Sequence, residues 1–134
     1  MTKRALLFGI NKYPTAPLYG CINDCNDISE QLQKLGYAQE NISILLDHDC
    51  TKEKMLREIS TQVSLTKSDD YLYIHFSGHG VQMPCVNDIE IDGLDECLCP
   101  IDFDFTEKTI IRDNELEKLF SNRNPKAKIF FFSD

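Results

Sequence analysis

The chain has 134 residues, 42% of them hydrophobic and 27% charged, and carries a formal net charge of −8. That length supports one domain with a real core rather than two, and the acidity excludes a nucleic-acid face, which needs a basic surface for phosphates. No apolar run approaches the roughly 18 to 20 residues of a membrane span, and "MTKRALLFGINKY" lacks a small-residue cleavage site, so neither a membrane segment nor a signal peptide is expected.

Six cysteines in a chain with a substantial aliphatic core and no export signal read as free thiols in a reducing, cytoplasmic compartment. The first element is "RALLFGI", Arg4 to Ile10, a short apolar run of the kind that forms a strand buried on both faces. A Pro- and Gly-bearing loop follows through Gly20. From about Asn23, Cys25, Ile28, Leu32 and Leu35 recur at helical spacing, and Gly36 stands where a helix-terminating glycine belongs. "NISILL" is the second strand. Thr51 then caps a helix that carries Met55, Ile59 and Val63 on one face, with Glu53 in its first turn.

The third strand is "YLYIHF". Gly78 to about Arg112 reads as a long, acidic, irregular segment with a short extended piece around "ECLCP". Asp113 is placed to cap a third helix through Leu119, and "AKIFFF" is a fourth strand ending at Ser133 and Asp134. Strands alternating with helices predict an α/β fold with a mostly parallel sheet and helices on both faces.

In such a sheet, binding and catalysis gather outside the carboxyl ends of the strands. Three strands here end in conspicuous polar residues: "NKYPTAPLYGCINDC", "SGHG" and "SD". If those strands are neighbours, Cys21, Asp24, Ser77, His79 and Asp134 converge on one rim. Glycines on either side of His79 let the backbone turn sharply off its strand and let a substrate chain pass close. An imidazole there is a natural general base, since its unperturbed pKa of about 6.5 lies near working pH. Two carboxylates nearby, Asp24 and Asp134, suit a pocket that receives a cation, and a guanidinium is the planar partner that carboxylates hold best. The plainer readings are a helix-start charge for Asp24, a strand-end hydroxyl for Ser77, packing for His75 and a solvated loop for His48.

Taken together, "RALLFGINKY", Leu18 with "GCINDC", "YIHFSGHGVQ", "DGLDECLCPID", "IIRDNEL" and "KIFFFSD", in this order and spacing, resemble the large-subunit (p20) region of a metacaspase across nearly the whole chain. The resemblance implies a caspase-like, flavodoxin-like sheet and a cysteine endopeptidase that cleaves after arginine or lysine. It makes His79 the dyad histidine, assigns Cys21, Asp24, Ser77 and Asp134 to the pocket for the basic side chain, and makes Gly80 an oxyanion donor. Asp95, Asp113 and Asn114 match a calcium site, where the family's second aspartate is here an asparagine. The nucleophilic cysteine is expected two residues beyond Asp134, so that residues 1–134 form one p20 region, incomplete at its C-terminus, whose partner is the p10-like remainder of its own chain. Such a fragment would itself be inactive.

Two readings of other classes stand beside this one. A catalytically dead caspase-like module would bind basic peptides or act as a scaffold. A flavodoxin-like small-ligand binder would need a glycine-rich phosphate loop after the first strand, and none is present. A zinc site built from Cys21, Cys25, Cys97 and Cys99 with His79 has Cys21 and Cys25 in the loose C-x2–4-C range, but it lacks the second C-x2-C or histidine pair of a structural site.

Overall fold

Two sheets order the chain. In the computed structural model, which describes residues 1–84, 94–104 and 106–133, strands β1 (Lys3–Gly9), β2 (Ile42–Leu46), β3 (Tyr71–Ser77) and β7 (Lys128–Ser133) form one sheet in the order β2-β1-β3-β7. All three pairings are parallel, with Phe8 opposite both Leu45 and Phe76, and Ile74 opposite Phe131. β1 is therefore central, and its apolar run follows from burial on both faces.

The two faces are read from successive β1 side chains. Ala5 and Leu7 face helix α1 (Cys21–Lys34) and pack with Cys25 and Leu32. Leu6 and Phe8 face the opposite layer, where Met55, Ile59 and Val63 of α2 (Lys52–Leu65) and Leu116 of α3 (Asp113–Phe120) complete the larger core. All four β1 residues are fully buried. Helices thus cover both faces, as the alternation of elements predicts.

Helix ends show where local signals sufficed and where they did not. α2 begins as expected, with Thr51 Oγ1 accepting the Lys54 N–H at 3.3 Å. α1 ends as expected at Gly36, whose φ of 96° is open to glycine, with the Gly36 and Tyr37 N–H groups returning to the Gln33 and Leu32 carbonyls. Its start differs from the expected Asn23. The helix begins at Cys21, because the Asn11 carboxamide oxygen, ten residues away, accepts the Cys21 N–H at 2.9 Å and does the work of a cap that Gly20 cannot do.

Asp113 is likewise not the cap of α3. Arg112 is still extended, because Ile111 and Arg112 form β6 against β5 (Leu94–Leu98), so the helix opens at Asp113 and runs to Phe120. Glu115 turns back to accept the Arg112 N–H at 3.2 Å.

In the segment Gly78 to Arg112 the extended piece expected around "ECLCP" is present as β5, but the rest, expected to be irregular, is the largest departure. The segment holds a second sheet, β4 (Gly80–Pro84), β5 and β6, antiparallel throughout. Its strands are two to five residues long, and β5 and β6 carry no regular apolar alternation, which is why periodicity does not reveal the sheet.

β7 lies at the edge of the parallel sheet. Ile129 and Phe131 pack into the larger core, whereas Phe130 and Phe132 point to the other face beside Tyr71 and Tyr73 and remain about half exposed.

Candidate active site

The carboxyl ends of β1 and β3 meet directly, with the Ile10 N–H donating to the Ser77 carbonyl at 3.0 Å. α1 is pressed against the same place. A Cβ on Gly9 would lie 2.8 Å from the Cys25 sulfur and 3.1 Å from the Cys21 carbonyl, so only glycine lets the first turn of α1 sit on the strand end. This brings Asp24, in that first turn, to β3, where the buried Ser77 hydroxyl donates to Asp24 Oδ2 at 3.1 Å. Cys21 is buried at the helix start. Cys21, Asp24, Ser77 and, two residues further on, His79 therefore share one rim. Asp134, the remaining acidic residue assigned to the pocket, lies outside the described residues, though Ser133 before it pairs with Phe76.

His79 is half-buried and held by Ala16, Tyr13 and Cys99. Its Nε2 lies 2.6 Å from the Ala16 carbonyl oxygen. A carbonyl can only accept, so neutral His79 carries its proton on Nε2 and presents Nδ1 as the base. Ala16 reaches it by adopting a left-handed backbone, φ 58°, in a non-glycine residue. That conformation costs on the order of 1 kcal/mol and is sustained by the loop around it.

The imidazole also lies against the Tyr13 ring, centroids 4.5 Å apart. Tyr13 Oη accepts the His79 N–H at 2.9 Å and donates to the Cys99 carbonyl at 2.7 Å. The Cys99 N–H returns to the His79 carbonyl at 2.9 Å. Burial pushes the Tyr13 phenol well above its ordinary pKa, so it stays protonated.

The loop bearing Tyr13 and Ala16 is tied to the sheet by Asp47, just past β2. This nearly buried carboxylate accepts the Asn11 and Lys12 N–H groups at 2.8 and 3.0 Å. Asn11 in turn closes the loop through its carbonyl, which accepts the Leu18 N–H at 2.8 Å. Tyr13, Ala16, Asn11 and Asp47 are site residues that sequence reasoning missed. A carboxylate directly after a strand and a tyrosine directly before a proline were visible signals, but a backbone carbonyl has no signature in the sequence.

Beside His79, a cavity of about 230 Å3 is walled by Tyr13, Pro14, Ala16, Val81 and Phe103. Among the thiols, burial pushes Cys25 and Cys50 up to about 12 and Cys99 up to about 11, so these three stay protonated and weakly nucleophilic. Gly80 opens β4, immediately after His79. His75 is buried within β3, its ring parallel to that of Tyr73, and His48 is exposed.

The residues matched to calcium fall elsewhere. Asp113 and Asn114 are exposed at the start of α3. Asp95 lies on β5, two residues from Cys97, which pairs with Arg112; its side chain is outside the described set. Among the described residues, no three His, Cys, Asp or Glu side chains gather as a metal site would require, and no helix is long and apolar enough to cross a membrane.

Known proteins give this geometry a lineage. The sequence profile described as "Metacaspase, peptidase C14 domain" matches residues 3–134. Metacaspase-4 of Arabidopsis thaliana is 34% identical over 143 aligned residues, covering 100% of this chain and 33% of its own length. Metacaspase-1A of Aspergillus oryzae is 37% identical over 129, covering 90% of this chain and 30% of its own. Protein GSU0716 from Geobacter sulfurreducens, a crystal structure 26% identical in sequence, superposes with a TM-score of 0.81 over 100% of this chain and 50% of its own. The chain spans about a third of the length of the curated relatives it matches. With its parallel sheet, covering helices and rim-mounted histidine, the fold is caspase-like and the chain belongs to the metacaspase family.

Proposed function

We propose that this chain is the histidine-bearing part of a cysteine endopeptidase that cleaves peptide bonds after arginine or lysine. The reading is carried by one observation: the Nε2–H of His79 is committed to the Ala16 carbonyl, on the same rim where Ser77 and Asp24 are hydrogen-bonded. Nδ1 is the atom that takes the proton of a cysteine thiol supplied by the longer protein. The thiolate attacks the scissile carbonyl, forming a C–S bond, and the carbonyl π electrons move to oxygen. The Gly80 N–H is assigned to that oxyanion. On collapse, the C–N bond breaks and the amine departs with the proton from Nδ1, leaving a thioester that water hydrolyses.

Asp24, with Ser77 beside it and with Cys21 and Asp134 assigned to the same pocket, receives the cationic P1 side chain. An ionised carboxylate gains most from a guanidinium it can hold in a fork. Peptide and protein substrates follow from the family. The p10-like remainder of the polypeptide is the expected partner for β7, whose open edge and half-exposed Phe130 and Phe132 would be costly to leave in water. Buried free thiols suit a reducing, cytoplasmic setting.

Calcium is proposed at Asp95, Asp113 and Asn114. Their oxygen donors suit a hard cation, and the pairing of β5 with β6 supports it by bringing the Asp95 backbone near the start of α3. Bound there, the ion would order the loops around it. Asn114 supplies an oxygen without a charge.

The test uses the full-length polypeptide that carries this chain. It should hydrolyse arginyl and lysyl fluorogenic peptides and not aspartyl ones, and His79→Ala should abolish turnover. Equal cleavage after acidic and basic residues, or an active His79→Ala protein, would refute the reading. Binding of basic peptides without any cleavage would instead favour the inactive module. Calcium dependence is checked by chelation and by Asp113→Ala, which should raise the calcium needed for half-maximal activity.

A further inference from the structure

We propose that Tyr13 is the positioning residue for His79: its hydroxyl, bridging the His79 N–H and the Cys99 carbonyl, and its ring, laid against the imidazole, hold the histidine in the orientation that commits Nε2 to Ala16 and leaves Nδ1 to the nucleophile. This deepens the peptidase reading and rests on it.

Three observations converge on Tyr13. The first is its hydrogen bonding. One phenol has one proton, and here the Cys99 carbonyl takes it, while the oxygen lone pair receives the His79 N–H. Tyr13 therefore has no proton left for a substrate, and its burial keeps the phenol from ionising. It acts through His79 and not on the reacting atoms.

The second is the glycine before the histidine. A Cβ on Gly78 would lie 2.5 Å from Tyr13 Oη and 2.8 Å from Phe76 Cζ. Real Cβ contacts are not that short, so the first glycine of "SGHG" makes room for the tyrosine hydroxyl. The third is anchoring. The residues just before Tyr13 are fixed by the Asp47 carboxylate, so the ring is held from the sheet and not merely parked in a loop.

A tyrosine serving only as core would need its ring and not its hydroxyl, and that separates the two roles. Tyr13→Phe keeps the ring and deletes the bridge. In the full-length polypeptide, this variant should lose about 10- to 100-fold in kcat on an arginyl peptide, the scale of a misplacement near 1 Å, with KM changed less than about twofold. Histidine-selective 15N spectra should show His79 passing from a single Nε2–H tautomer to a mixture. In the unaltered protein, the His79 amide should exchange slowly with deuterium, a measurement that needs no variant to fold.

Wild-type kcat in a folded Tyr13→Phe protein would overturn the inference if His79→Ala is inactive. So would rapid exchange of the His79 amide in the unaltered protein. Full activity in His79→Ala would instead sink the peptidase reading itself, a distinguishable result.

Discussion

The two sheets solve different problems. The parallel sheet is a frame: β1 is covered on both faces, Leu6, Leu7 and Phe8 are completely buried, and its strand ends fix where the rim lies. The antiparallel sheet is a bracket. It reaches the larger core through Leu98 and Ile111 and meets the rim through specific bonds, among them Cys99 N–H to the His79 carbonyl and Tyr13 to the Cys99 carbonyl. Stability resides mainly in the frame, whereas the orientation of His79 depends on the junction between the two.

That division can be broken by substitution. Phe8→Ala should cost about 3–5 kcal/mol in denaturant unfolding, the usual range for a fully buried phenylalanine. Val81→Ala in β4 removes a half-buried side chain and should cost well under half as much. Equal losses would mean that the bracket is as much core as the frame.

At the junction, Gly78→Ala should destabilise by about 1–3 kcal/mol, since the new methyl must displace Tyr13 Oη and the Phe76 ring. A tolerated alanine would show that the turn has slack.

A smaller effect is expected from Asp70, which accepts the Thr2 and Lys67 N–H groups at 2.8 and 3.0 Å where β1 and β3 begin. Those bonds hold its carboxyl below the ordinary range. Its contribution is therefore complete above the unfolded pKa of about 4 and is lost as pH falls through the folded value. An acid titration of stability should be flatter in Asp70→Asn, and an unchanged curve would remove Asp70 from the account. Smallest of all, Arg57→Ala on the exposed face of α2 breaks an i,i+4 pair with Glu53 and should cost no more than about 0.5 kcal/mol by thermal melting.

The same contrast explains what the sequence disclosed. "RALLFGI" is legible because burial on both faces demands an unbroken apolar run. His79 is legible because a histidine leaving a strand between glycines is an expensive arrangement for packing alone. Cys21, Asp24 and Ser77 could be placed together from strand polarity, and the Ser77–Asp24 bond bears out that proximity.

The clamp on His79 was not legible for a physical reason. Its parts are a backbone carbonyl on Ala16, a residue with no preference for the left-handed region, and a tyrosine 66 positions away whose partner atoms are main-chain groups. Of the antiparallel sheet only the extended piece around "ECLCP" was legible, and its pairing with β4 and β6 escaped because the strands are short and lie on either side of a long acidic stretch. The cap of α1 escaped because it is borrowed from Asn11.

The proposed specificity depends most on Asp24 meeting a cationic side chain at the rim that carries His79. The direct measurement is kcat/KM for an arginyl peptide in the full-length polypeptide, with and without Asp24→Ala. Loss of a half-buried carboxylate that partners a guanidinium should lower it by at least about 100-fold while the folded structure persists. An unchanged kcat/KM would contradict the account.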